Sequence, residues 1–300
     1  MRVVVALGGN ALAARGERID AATQRRHLRE AAGELCAIAE RHQTVITHGN
    51  GPQVGLLALQ AEAYDPERPV PLDVLGAESE GMIGYLVEQE LRGRLPGREF
   101  ATLLTQVVVD PDDPAFRKPS KPIGPRLDPA RAERQRRERG HRVAPDGDAL
   151  RRVVPSPEPR RILELTAIRM LLEAGLVVVC AGGGGIPVVI DASGAIRGVE
   201  AVIDKDLAAA LLACELDADA LLLLTDVDAV YADWPAATRP IRSATPAALR
   251  GLSFAAGSMA PKVEAACRFA ASGPRVAAIG RLAQAALILE GEAGTQVRSR

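Results

Sequence analysis

Apolar positions along the chain fall in continuous runs rather than in alternation. The runs occupy residues 3–7, 44–47, 103–109, 176–180, 220–224 and 276–279, and many of their members are β-branched. Runs of this length without polar interruption suit strands buried on both faces. Segments with helical spacing fill the gaps. Asp20 is placed to cap a helix reaching residue 40, and Pro52 suits the first turn of another. Over 77–92, Met82, Ile83, Leu86, Val87 and Leu91 recur at helical intervals. Residues 160–174 read as a helix closed by Gly175, and 207–216 and 263–271 as two more. Strand alternating with helix predicts the α/β class, a mostly parallel central sheet sandwiched by helices. One stretch breaks the rhythm. Residues 110–159 hold ten prolines and the charged run 131–139, which predicts a small excursion from the main sheet with one solvated helix.

Composition narrows the function classes. The chain has 300 residues, 47% hydrophobic and 25% charged, within the range of one large α/β domain or two small ones. A net charge of −1 supplies no basic field for nucleic acid, and 3% aromatic content is too low for base-stacking platforms. Cys36, Cys180, Cys214 and Cys267 form no C-x-x-C pair, so neither a zinc site nor a redox motif is indicated. Their apolar surroundings predict buried, reduced thiols and a cytoplasmic protein. The first residues imitate a signal peptide, with Arg2 ahead of apolar and small residues. Val3-Val4-Val5 followed by Gly8-Gly9 reads instead as a first strand and a tight turn, and the run is too short to span a membrane.

Rare residues point to chemistry. Of 37 Lys plus Arg only four are lysines, at 118, 121, 205 and 262, and the two asparagines are Asn10 and Asn50. Both residue types use codons beginning AA, which a GC-rich genome replaces wherever another residue serves. The survivors are therefore concentrated where nothing else works. Five of the six stand in the strings GGN, HGNGP, PSKPIGP, IDKD and GSMAPK. Lys118 lies outside such a motif and reads as a surface residue.

Each string has a physical use. Gly8-Gly9-Asn10 and Gly49-Asn50-Gly51 each follow a strand, where glycines let main-chain N–H groups approach an oxyanion. Two such loops at neighbouring strand ends converge on one anion site. His48 reads as a structural histidine, since no carboxylate partner is evident. Prolines on both sides stiffen the backbone around Lys121. Gly182-Gly183-Gly184-Gly185 is entropically costly and makes sense where a phosphate nearly touches the main chain. It matches neither a dinucleotide fingerprint nor a Walker loop, because 187–190 looks extended and no G-x-x-x-x-G-K occurs. Lys205 and Lys262 both fall in a first helical turn, where the helix dipole disfavours a cation by a few tenths to about 1 kcal/mol. An anion between them reverses that sign, and Asp206 is placed to orient both ammonium groups. Thr225 to Tyr231 follows the strand at 220–224 and lines a crevice at a parallel strand end. Asp226 and Asp228 there are within reach of a Mg²⁺ ion or act as caps.

Taken together, the strings ALGGNAL, ITHGNGPQVG, SEGMIGYL, VVVDPDDPAF, PSKPIGP, RRVVPSPEP, AGGGGIPV, VIDKDLA, LTDVDAVY and FAAGSMAPKVEAA resemble those of the carbamate kinases of the amino acid kinase family, over nearly the whole chain. The wider family usually carries a lysine two residues before the first Gly-Gly. Here that position is Ala6, as in carbamate kinases, which argues against acetylglutamate, uridylate and aspartate kinases. The resemblance implies ATP + carbamate ⇌ ADP + carbamoyl phosphate, with Mg²⁺, and a homodimer. It implies that Lys121 and Lys262 stabilise the transferring phosphoryl group, and that Lys205 contacts phosphate oxygens with Asp206 as organiser. Gly8, Gly9, Asn10, Gly49, Asn50 and Gly51 would hold the carbamate side. Gly183, Gly184, Thr225, Asp226, Val227, Tyr231, Gly257, Ser258 and Met259 would line the nucleotide site, and no metal ligand is assigned. The implied division is one domain over 1–300, with an acceptor lobe over about 1–215, a protruding subdomain within it at about 113–157, and a nucleotide lobe over about 216–300. Departures occur at Arg126-Leu127, Gly140-His141-Arg142 and Trp234-Pro235-Ala236, where the relatives carry other residues, and they leave the lysine set intact. A phosphotransferase acting on another small carboxylate or phosphate is the alternative. A sensor without turnover would have lost one of the lysines.

Overall fold

Five of the six apolar runs become neighbouring strands of one sheet. The computed structural model describes residues 1–9, 12, 14, 16–147, 149–254 and 259–299. Among them the eight-stranded main sheet has the order β15 (Ser243–Ala244), β17 (Thr295–Arg298), β16 (Val276–Arg281), β12 (Ala220–Thr225), β1 (Arg2–Leu7), β2 (Gln43–His48), β9 (Val177–Val179), β3 (Phe100–Thr102). Its strands are parallel except where β17 runs against β16. Helices cover both faces: α1 (Ala21–Arg41), α2 (Gly51–Tyr64), α3 (Leu72–Arg92), α5 (Leu165–Glu173), α6 (Lys205–Glu215), α7 (Pro246–Arg250), α8 (Met259–Ala271) and α9 (Ala285–Glu290). Because side chains alternate along a strand, each apolar run feeds two cores. Val4, Ala6, Leu221 and Leu223 pack toward α6 and α8 with Ala209, Leu212, Ala266 and Phe269. Val3, Val5, Leu7, Leu222 and Leu224 face α1, α3 and α9 through Leu28, Leu35, Ile83, Leu86 and Ile288.

Two smaller sheets flank the first. One has the order β11 (Ile196–Gly198), β10 (Ile186–Ile190), β4 (Gln106–Val109), β8 (Pro159–Ile162). The other, β5 (Lys121–Leu127), β7 (Ala149–Val154) and β6 (Val143–Asp146), makes up the excursion together with α4 (Pro129–Arg139). A short pair, β13 (Val230–Tyr231) and β14 (Pro240–Ile241), follows the end of β12. No helix among the described residues is long and apolar enough to cross a membrane.

Several expectations about elements are corrected. The run 103–109 is not one strand. Residues 100–102 pair with β9, whereas 106–109 belong to the second sheet beside β10. The chain changes sheets at Thr105, which is buried. Its N–H donates to Glu80 Oε2 at 3.1 Å, and its hydroxyl accepts from Ala181 N at 2.9 Å and donates to Leu103 O at 2.8 Å. Side-chain partners thus satisfy backbone groups that leave the ladder. Residues 160–174 are not one helix. Pro159 opens β8, a position that asks no ladder hydrogen bond of it, and the helix begins at Leu165. Three helices start earlier than expected. α3 starts at Leu72, whose N–H finds Glu200 Oε1 at 3.0 Å, and α8 starts at Met259. α6 starts at Lys205 because Asp204 Oδ1 accepts from Asp206 N at 2.9 Å and Leu207 N at 3.3 Å.

The excursion holds more than one solvated helix. Its sheet is rooted on α2 and α3 by a satellite core of Val54, Ala58, Leu72, Leu75, Ile123, Val154 and Val202. At that root the backbones of Gly55 and Gly124 lie in direct apposition, so that a Cβ on Gly55 would overlap the Gly124 backbone.

Candidate active site

Register places the chemical motifs on one edge. Leu7 aligns with Leu224 on one side and His48 on the other, and Ile46 aligns with Val179. Gly8, Gly49-Asn50, residues 180–185 and Thr225 therefore leave the carboxyl ends of four adjacent parallel strands, where ligands of open α/β sheets bind. Close packing explains the glycines. A Cβ on Gly8 would stand 2.8 Å from Leu224 O, and one on Gly49 3.2 Å from Lys205 Cδ. Gly183 has φ 67°, and a Cβ there would overlap the Asn50 side chain. The tetraglycine turn thus reaches the asparagine of the neighbouring loop. Gly184 abuts Ile203 O, and Gly51 approaches Pro122 O.

Three lysines and two aspartates meet beside these loops. Lys205 Nζ donates to Asp206 Oδ1 at 2.6 Å, and Lys262 Nζ donates to Asp206 Oδ2 at 2.9 Å. Lys121 Nζ, arriving from the excursion, donates to Asp204 Oδ2 at 2.5 Å. Lys205, Asp206 and Lys262 are each less than a tenth exposed. Burying a charge is costly unless it is paired. Asp204 and Asp206 pair with the three ammonium groups and Asp226 acts on Lys262 as well, so cations and carboxylates are gathered in one buried place beside the glycine turns. Burial, with Lys262 as a like-charged neighbour, pushes the Lys205 ammonium down to about 8 although Asp206 opposes it. Burial also acts on Lys262, but Asp206, Asp204 and Asp226 outweigh it and raise that group. At Asp206, burial favours the neutral acid, and the two lysines overturn it, holding the carboxylate well below its usual range.

The asparagine loop and the glycine loop are braced from α3. Asn50 Nδ2 donates to Ser79 Oγ at 2.8 Å, and Ser79 Oγ in turn donates to Gly76 O at 2.9 Å. The next residue, Glu80, accepts from Gly182 N at 2.8 Å and Thr105 N at 3.1 Å. Burial pushes the Glu80 carboxyl up to about 8, against the pull of those N–H groups. Ser79 and Glu80 are absent from the sequence-derived site. The signal available was two polar residues in the apolar stripe that includes Leu72, Leu75, Ile83 and Leu86. Asp204 is likewise absent from that set. His48 is wholly buried with Nδ1 3.2 Å from Gly49 O, and burial drives it down to about 4, so the ring stays neutral and is only a weak base.

On the other side of Thr225 the edge is more open. Thr225 Oγ1 donates to Asp226 Oδ1 at 3.0 Å. The Tyr231 hydroxyl donates to Asp228 Oδ1 at 2.6 Å, and Arg242 reaches the same carboxylate at 3.3 Å. Asp228 is thereby committed to this local network. Tyr231 and Trp234 have ring centroids 6.4 Å apart and tilted by 51°. Val227 and Met259 are half-buried, and Gly9 has open space beside its Cα. Asn10, Gly257 and Ser258 lie outside the described residues. Among the described residues no group of three or more His, Cys, Asp or Glu side chains is arranged to hold a metal ion.

Residues 1–279 match the amino acid kinase family. The chain is 51% identical to the carbamate kinase of Haemophilus influenzae over 302 residues, covering 100% of this chain and 97% of that one. It is 52% identical to the carbamate kinase of Rhizobium meliloti over 303 residues, covering 100% and 94%. Among solved structures it is similar to the carbamate kinase from Giardia lamblia bound to citric acid, with TM-score 0.93 and 38% identity over 99% of this chain and 98% of that chain.

Proposed function

The chain belongs to the amino acid kinase family, and from that membership we propose that it transfers a phosphoryl group reversibly between ATP and carbamate, giving ADP and carbamoyl phosphate. The observation that carries this reading is the buried cluster of Lys205, Asp206 and Lys262, joined by Lys121 and Asp204, beside glycine turns on the carboxyl edge.

Carbamate is an anion at neutral pH, so its attacking oxygen needs no general base. The obstacle is bringing one anion onto a polyanion. Catalysis of such a step consists of in-line positioning and charge neutralisation. Lys121 and Lys262 stabilise the transferring phosphoryl group, Lys205 contacts phosphate oxygens, and Asp206 keeps Lys205 and Lys262 aimed before the ligand arrives. Gly8, Gly9, Asn10, Gly49, Asn50 and Gly51 hold the carbamate side. Gly183 and Gly184 offer main-chain groups to phosphate. Thr225, Asp226, Val227, Tyr231, Gly257, Ser258 and Met259 line the nucleotide side. Mg²⁺ on the nucleotide would supply further charge neutralisation on phosphate oxygens.

The same reading divides the chain into an acceptor lobe to about residue 215, with the protruding segment at about 113–157, and a nucleotide lobe beyond, each lobe within the size range of a folding unit. It also places the protein in the cytoplasm as a homodimer. Val74, Met82 and Tyr85, all exposed on one side of α3 with Glu78 among them, form with exposed Leu104 the face that a second copy would cover. The direct test is to incubate the purified protein with Mg-ADP and carbamoyl phosphate and measure ATP. Formation above the enzyme-free control is expected, and its absence would remove carbamate kinase as the main activity.

A further inference from the structure

Of the three clustered lysines, Lys121 alone is carried by the excursion, while Lys205 and Lys262 stand on helices of the main body. Its partner Asp204 lies 83 residues away in the chain. The position of its ammonium group therefore depends on how the three-stranded sheet is seated on α2. Three contacts with α2 bear on that seating, beside the Val202 N to Pro155 O hydrogen bond of 2.9 Å that ties the end of β7 to the main body. Gly51 approaches Pro122 O at the amino end, Gly55 meets Gly124 one turn on, and Glu62 near the carboxyl end grips the sheet. Glu62 Oε1 accepts from Arg152 Nη1 at 3.0 Å and faces His141 Nε2 at 3.2 Å. Arg152 stands opposite Ile123 in the β5–β7 register, and Val154, two residues on, stands opposite Lys121.

The satellite core fixes how close sheet and helix come, but apolar contacts are non-directional and resist rocking of the sheet less firmly than a directional pair does. The glycine contact is a pivot for such rocking. The Glu62–Arg152 pair is directional, and it lies seven residues beyond the pivot, roughly 10 Å along the helix axis. It acts on the same sheet that carries Lys121. Glu62 is 8% exposed and Arg152 is mostly buried, so the pair is shielded from solvent and cannot be exchanged freely for water. Arg152 also feels Glu200, whose carboxylate caps α3. Burial drives His141 down to about 4, so at neutral pH Arg152 is the cation that answers Glu62.

We infer that Glu62 and Arg152 are positioning residues for phosphoryl transfer, locking the three-stranded sheet on α2 at the angle that delivers the Lys121 ammonium to the lysine–aspartate cluster. This rests on the role given to Lys121 above. Neither residue touches a reacting atom.

The test is a double-mutant cycle on the full chain with Mg-ADP and carbamoyl phosphate as substrates. Glu62→Gln is expected to lower kcat roughly tenfold, within the range that small misplacement of a catalytic group costs. The KM for ADP is expected to stay unchanged, because the nucleotide lobe is not moved. In a Lys121→Ala background the same Glu62→Gln change is expected to cost nothing further. Arg152→Met, which keeps an unbranched apolar stem, reads the contact from its other side and serves if Glu62→Gln fails to fold. Wild-type kcat in both variants, or a loss that adds to that of Lys121→Ala, would overturn the inference while leaving the role of Lys121 standing. Wild-type kcat in Lys121→Ala would instead sink the role of Lys121, and the inference with it.

Discussion

Asp206 divides its two oxygens between ammonium groups from different helices. The lysines are thus aimed before any phosphate arrives, which is the condition for electrostatic stabilisation without reorganisation during reaction. The space around them favours lysine, since Lys205 lies against Gly49 and the arginine fork is larger and planar. Lys262→Arg is expected to lower turnover roughly 10²-fold or more, the scale of other electrostatic stabilisers. Near wild-type turnover in that variant would contradict the role of Lys262. Lys205 makes a pH prediction. Its pKa falls from 10.5 to about 8 in the folded protein. The folded chain therefore binds fewer protons than the unfolded one between those values, so this group adds stability as pH rises through that window. A phosphate beside the ammonium reverses the depression. ATP binding at about pH 9 should take up protons, whereas at about pH 6.5 this group contributes none. Titration calorimetry in buffers of different ionisation enthalpy measures the uptake, and Lys205→Met should abolish it.

At the scale of elements, the loops of the site are held by what lies beneath them. One turn of α3 supplies Ser79 to the asparagine loop and Glu80 to the glycine turn, so two loops from different strands share one support. The α2–β5 contact is the corresponding support for Lys121. Gly55→Ala is expected to destabilise the fold by about 1–3 kcal/mol through overpacking against Gly124, with turnover falling as well. Gly33→Ala in α1, where nothing lies within 4 Å, is the control. It should stabilise by roughly 0.5–1 kcal/mol, the usual difference between the two residues within a helix. Urea denaturation of the two variants separates crowding from helix propensity.

At the scale of the molecule, a parallel sheet was legible because continuous β-branched runs have few other uses, and Asn50, Lys121, Lys205 and Lys262 pointed to the carboxyl edge where the structure gathers them. What could not be read was whatever depends on distant partners. Residues 103–109 are equally apolar in either sheet, and the change of sheet at Thr105 is decided by Glu80 and Ala181. Lys205 and Asp206 are neighbours in the chain and so were visible as a pair. Lys121 and Asp204 are not, and Glu80 was hidden inside a helix whose pattern reads as core. The association of two chains belongs to this scale. Tyr85→Glu together with Met82→Glu is expected to turn a dimer into a monomer by light scattering, since two charges would be buried unpaired. A wild-type mass in that variant would place the contact elsewhere.

The apposition of Gly55 and Gly124 has a practical consequence for recombination among relatives. Two backbones that meet without side chains between them tolerate no change on one partner unless the other moves with it. The excursion therefore cannot be grafted as a cassette cut at its own ends. The transplantable unit is α2 together with the three-stranded sheet, and a chimera that exchanges one without the other should express as a folded body with a misplaced Lys121.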